Sequence, residues 1–127
     1  MFSIDTANDP YVRIHASGRL TPGDYDAMER VFEAELARRA LRQAQDERVA
    51  LLLDLTGWRG WTPSGLIRDL RFDFRHRKSF ARIAVVGDRA WHKWLTLAAK
   101  PVFSGEMRYF EAAKERQATD WAATGGP

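Results

Sequence analysis

The chain has no cysteine, which excludes a disulfide scaffold, a zinc–thiolate site and a thiol nucleophile together. It has no apolar run near the roughly 18 residues that would span a bilayer. Met1–Asp5 carries neither a basic n-region nor an apolar h-region, so no signal peptide is expected and the expected location is cytoplasmic. A Gly-x-Gly-x-x-Gly fingerprint, a Walker lysine motif and a Gly-x-Ser-x-Gly elbow are all missing. The three histidines, His15, His76 and His92, lie too far apart in sequence to show metal-ligand spacing and read as surface or half-buried groups. A strong charge excess is also missing. Twenty Lys+Arg stand against 17 Asp+Glu, a net +3, with acids mixed among bases, whereas a nucleic-acid binder would cluster its positive charge. No cofactor, no metal, no nucleic acid and no transmembrane segment are expected, and the case for an enzyme is weak.

What is present suits one globular domain. The 127 residues are 45% hydrophobic and 29% charged, enough for a single core, with 124–127 as a loose tail. Phe2–Asp5 and Tyr11–Ala16 read as strands around the turn-forming Asn8-Asp9-Pro10, the second alternating apolar and polar residues. Thr21-Pro22-Gly23-Asp24 opens a helix, with Thr21 as N-cap, ending around 40–45. Val49–Leu55 is continuously apolar up to Asp54, as expected of a central parallel strand covered on both faces. After a loop at Gly57–Trp61, Thr62-Pro63 starts a helix to about Lys78, with Leu66, Ile67, Leu70 and Phe74 as its expected core side. Arg82–Gly87 is a further buried strand, Asp88 caps a helix through Ala99, Glu106–Phe110 is a last strand, and Glu111–Ala123 a last helix. The order β-β-α-β-α-β-α-β-α predicts an α/β fold, a mixed, mostly parallel β-sheet with helices packed on it.

Four features stand out on this frame. Asp54, at the carboxyl end of an apolar strand, either meets a ligand or holds a loop by accepting backbone N–H groups, and the second reading is preferred. The first-turn amides of Ser64, Gly65 and Leu66 could seat an anion, unless Thr62 caps them alone. Arg68, Arg71 and Arg75 fall on one stripe flanked by Phe72 and His76, an interface composition, with Asp69 and Asp73 as the alternative neutralising partners. Five tryptophans are many for this length. Trp58 and Trp61 sit in the expected loop, and Trp91 and Trp94 share a helix face with Leu95 and Ala98 that reads as core. Both groups follow strands ending at one sheet edge, where they could line an apolar pocket.

The stretches Leu51–Lys78 (LLLDLTGWRGWTPSGLIRDLRFDFRHRK), Phe80–Trp94 (FARIAVVGDRAWHKW) and Glu106–Phe110 (EMRYF), with Gly18–Thr21 and Asp24-Tyr25, resemble the SpoIIAA-like family of small bacterial proteins. The resemblance covers nearly the whole chain. It implies a STAS-like fold, that of anti-sigma-factor antagonists, with helices mainly on one side of the sheet. In those antagonists a serine within Asp-Ser-Ser/Thr-Gly-Leu is phosphorylated by a partner kinase. Here Thr62-Pro63-Ser64-Gly65-Leu66 overlies that pattern, and the acceptor position falls on Pro63, which has no hydroxyl. Thr62 or Ser64 could substitute, since phosphate at a helix N-terminus is favourable. The resemblance also reaches the lipid-carrying CRAL-TRIO fold.

The expected function is a non-catalytic STAS-like regulatory or binding module. Its predicted contact residues are Trp58, Arg59, Trp61, Thr62, Ser64, Gly65, Arg68, Arg71, Phe72 and Arg75, meeting a protein partner or a second copy in a homodimer. The alternative is a carrier or sensor of a small apolar or anionic-headed ligand. An enzymatic reading would need Asp54, His76 or His92 to converge in a pocket.

Overall fold

The apolar run at 49–54 forms the centre of the sheet, as its lack of alternation requires. The computed structural model describes residues 1–5, 11–42 and 48–126, leaving out the side chains of 40–42. The expected turn at Asn8-Asp9-Pro10 and the C-terminal proline lie outside the described residues. The strands are β1 (Phe2–Asp5), β2 (Tyr11–Ala16), β3 (Gly18–Leu20), β4 (Val49–Asp54), β5 (Trp58–Trp61), β6 (Phe80–Gly87) and β7 (Glu106–Glu111). The helices are α1 (Pro22–Arg42), α2 (Pro63–Arg75), α3 (Ala90–Ala99) and α4 (Glu115–Thr124). The main sheet runs β1-β2-β4-β6-β7, with β1 antiparallel to β2 and every other neighbour parallel.

Helices cover both sheet faces, three on one and α4 on the other. The larger core lies under α1, α2 and α3 and joins Ile14, Leu51, Ile83 and Val85 of the sheet to Tyr25, Met28, Phe32 and Phe72. A smaller core packs Leu52, Ala84 and Val86 against Ala118, Trp121 and Ala122 of α4. Capping follows local chemistry. Thr21 Oγ1 accepts the Asp24 amide while Asp24 Oδ2 accepts the Thr21 amide, at 3.2 and 2.9 Å, a reciprocal box at the start of α1. Thr62 Oγ1 accepts the Gly65 amide at 3.0 Å at the start of α2.

The structure corrects several expectations. Gly57–Trp61 is not wholly a loop: β5 pairs in parallel with β3 to form a second, two-stranded sheet. Two short strands of this kind are stabilised by each other and leave little periodic signal. At α3 the N-cap residue is Arg89, without a side-chain cap; the Asp88 amide instead donates to His92 Nδ1 at 3.2 Å. The last strand extends to Glu111, and a 3-10 turn at Ala112–Lys114 delays α4 to Glu115. His76 and His92 are buried, His92 completely.

The largest correction concerns α2. Its expected core side is exposed, with Ile67 at 63%, Leu70 at 60% and Phe74 at 64%, while Phe72 is 7% exposed. The helix rotates Phe72 onto α1, where its ring meets Phe32 at 5.7 Å, and its own C-cap residue His76 lies against the same ring at 4.6 Å. Ion pairs accompany this docking: Glu29 of α1 accepts from Arg68, Arg75 and the His76 ring. On α3, Trp91 and Trp94 are 37% and 68% exposed, not core; Leu95 and Ala99 pack inward in their place.

A candidate apolar ligand site between the sheet and two helices

Because α2 packs on α1 and β5, and α3 on β6 and β7, the two helices leave a space above the sheet. This cavity measures about 430 Å³. Its floor is Ile14, Leu51, Leu53, Leu55, Ile83 and Val85; α1 adds Tyr25 and Met28, and α3 adds Leu95, Thr96, Ala98 and Ala99. Leu66 and Leu70 of α2 line it from the opposite side, with Val102, Phe103 and Met107 beyond α3. Leu66, Leu70, Ala98 and Val102 are also solvent-exposed, so the mouth opens between α2 and α3.

Polar groups on the wall gather at the α2 side. Asp69 and Asp73, one turn apart, both line the cavity and lie close enough for each carboxyl to act on the other's protonation. The Tyr25 hydroxyl donates to Asp69 Oδ1 at 2.5 Å and accepts from Trp61 Nε1 at 2.8 Å. Burial holds the Asp69 carboxyl above its ordinary range against the lowering effect of these hydrogen bonds. Burial first, and then the Asp69 charge, push Asp73 up to about 9. Burial and the same neighbour raise the Tyr25 phenol too, so it stays protonated. Among the described residues no ion pair reaches either aspartate.

The predicted site residues divide. Trp58, Trp61 and Phe72 line the cavity. Trp58 is a strand residue, 5% exposed, packed edge-on to Trp61 and against Trp91, both at 4.8 Å. His92 Nε2 donates to the Trp58 carbonyl at 3.2 Å, tying α3 to β5. Arg68 and Arg75 are occupied by Glu29, and Arg68 also by Asp26, so the expected arginine face is largely a contact within the chain. Arg59, Ser64 and Arg71 are exposed. The expected anion seat is mostly closed: Thr62 takes the Gly65 amide with its side chain and the Leu66 amide with its carbonyl. Gly65 is pressed against β3, where an added Cβ would lie 2.1 Å from the Leu20 carbonyl oxygen.

Asp54 holds its loop, accepting the Thr56 amide and hydroxyl at 3.0 and 2.7 Å, and Arg13 at 2.8 Å. Asp54, His76 and His92 have separate partners and none of them lines the cavity. Glu29, Glu33 and His76 place one ligand atom each within 4.8 Å of one another, but Glu29 already carries two guanidinium groups. Sequence reasoning missed Tyr25, Asp69 and Asp73 as cavity groups. The i,i+4 spacing of the two aspartates was visible, but it also suits pairing with the neighbouring arginines.

Among the described residues no helix is long and apolar enough to cross a membrane. No curated protein matches the chain significantly. It is similar to a crystal structure from Shewanella loihica PV-4, an uncharacterised protein of the DUF3478 family with a SpoIIAA-like fold. The two share 28% identity and a TM-score of 0.76, over 96% of this chain and 92% of that one. The SpoIIAA-like family profile matches residues 11–123. With this fold, strand order and sequence match, the chain belongs to the SpoIIAA-like family.

Proposed function

We propose that this chain is a non-catalytic binding module that takes a small apolar molecule into the cavity between the sheet, α2 and α3. The cavity itself carries the reading. Its volume of about 430 Å³ falls within the roughly 300–1,000 Å³ of small-molecule sites. Its mouth opens to solvent between α2 and α3, so without a guest its apolar wall meets water. An apolar guest, or an inward swing of α2, removes that contact. The exposed Leu66 and Leu70 at the mouth would gain cover from either.

The test is displacement of N-phenyl-1-naphthylamine, whose emission rises in apolar sites, together with native mass spectrometry of gently purified protein. Micromolar probe binding, lost on filling the cavity by Ala99→Phe, supports the reading. Unchanged binding in that variant, or none in either protein, defeats it.

Protein contact, the other reading, suits a STAS-type regulatory module. Its support is the exposed apolar set Ile67, Phe74, Trp94 and Leu97, a surface of the kind that marks interaction sites. Sedimentation of the wild type and Phe74→Asp tests self-association directly: one identical monomer species from both sinks the homodimer.

A further inference from the structure

The polar end of the cavity specifies more than an apolar guest, and the inference below rests on the cavity being a binding site. Asp69 and Asp73 sit on an otherwise apolar wall. The nearby cations are spoken for: Arg68 and Arg75 turn to Glu29 on α1, and no ion pair reaches either aspartate among the described residues. Both half-buried carboxyls are raised by desolvation, Asp73 to about 9, so without a counter-cation the pair keeps a proton at neutral pH. On the same lining the Trp58 indole N–H is buried without an acceptor, a donor that an acceptor atom elsewhere on the guest, not its ammonium, would satisfy.

We propose that the cavity binds an amphiphile with a primary amine on an apolar body, its ammonium seated between Asp69 and Asp73. The geometry supplies each part. The two carboxyls are one helical turn apart and close together, so a single N⁺–H₃ can donate to both. Tyr25 and Trp61 hold Asp69 in place through a hydroxyl–indole relay. The body of the ligand lies along Leu53, Val85 and Leu95 toward the mouth. A carboxylate head is disfavoured at this end of the cavity, since it would face the carboxyl pair. Without ligand, the proton retained between the carboxyls takes the place of the ammonium. An entering ammonium displaces that proton to solvent, so binding releases protons and tightens as pH rises while the amine stays charged.

The experiment compares dodecylamine, dodecanol and dodecanoate, each below its micelle concentration, by displacement of N-phenyl-1-naphthylamine from the full chain at pH 7. Charge-assisted hydrogen bonds predict that dodecylamine binds about tenfold more tightly than dodecanol, with dodecanoate weakest. In the double variant Asp69→Asn/Asp73→Asn the amine preference disappears while dodecanol binding persists, which also shows that the variant is folded. Calorimetry in two buffers of different ionisation enthalpy reads the released proton. Dodecanoate binding as tightly as dodecylamine overturns the inference, as does a preference that survives in the double variant; in both cases the apolar cavity stands. Failure of dodecanol and the fluorescent probe to bind defeats the cavity reading and this inference with it.

Discussion

Replacing Asp73 by Asn should make the protein more resistant to alkali. Folded Asp73 titrates at about 9, against an ordinary carboxyl value of 3.8. Between those values the folded chain holds a proton that the unfolded chain has released. Stability from this group is therefore complete below the unfolded value and drains away as pH rises toward the folded one. Each pH unit inside the window is worth up to about 1.4 kcal/mol. From pH 5 to pH 8 the wild type should lose up to about 4 kcal/mol relative to Asp73→Asn. Asparagine keeps the size and can still donate to Asp69, so little packing changes. The assay is urea unfolding followed by tryptophan emission at pH 5, 6.5 and 8 for both proteins. Groups remote from the pair cancel in the difference, while Asp69, which interacts directly with Asp73, contributes its own change. Parallel stability curves would refute the claim that the carboxyl pair is buried and shares a proton.

Phe72→Ala should cost about 3–5 kcal/mol in urea unfolding, the range for emptying a buried aromatic site, whereas exposed Arg71→Ala should stay within about 0.5 kcal/mol. Removing the cap in Thr62→Ala should cost about 1 kcal/mol, and Gly65→Ala should cost more, because its methyl meets the Leu20 carbonyl; thermal melts of both decide the order. Glu29 is lowered from its ordinary value by Arg68 and His76 against the opposing effect of burial, so its contribution is present above about pH 4.5 and lost as pH falls through the folded value. A Glu29→Gln variant should therefore differ from wild type at pH 7 and converge with it in acid. Trp94→Ala should leave stability within about 0.5 kcal/mol, and a loss of several kcal/mol would show that its side chain is packed after all.

Local chemistry made much of the fold legible in the sequence. The unbroken apolar run before Asp54 marked the central strand, because only a strand covered on both sides tolerates it. Thr21-Pro22 and Thr62-Pro63 marked two helix starts through a hydroxyl cap and a preset backbone angle. Asp54 was read correctly as a loop holder, since a carboxylate at that strand end meets free amides. The position of β3 and β5 was not legible, as neither forms alone.

Burial of α2 shows where sequence stops. Its strongest apolar stripe, Leu66, Ile67, Leu70 and Phe74, pointed to one face, yet Phe72 on another face is the buried ring. Periodicity weighs only the helix's own residues. The partner surface on α1, with Glu29 ready for Arg68, Arg75 and His76, chose the other side. The cavity is likewise a distance between elements, set by α2 leaning on α1 and α3 leaning on β7, and no residue pattern encodes a distance. The sequence by itself determined the five strands of the main sheet, the caps of α1 and α2 and the family; tertiary packing alone decided which face of α2 is buried and brought Tyr25, Asp69 and Asp73 to one wall of an open apolar space.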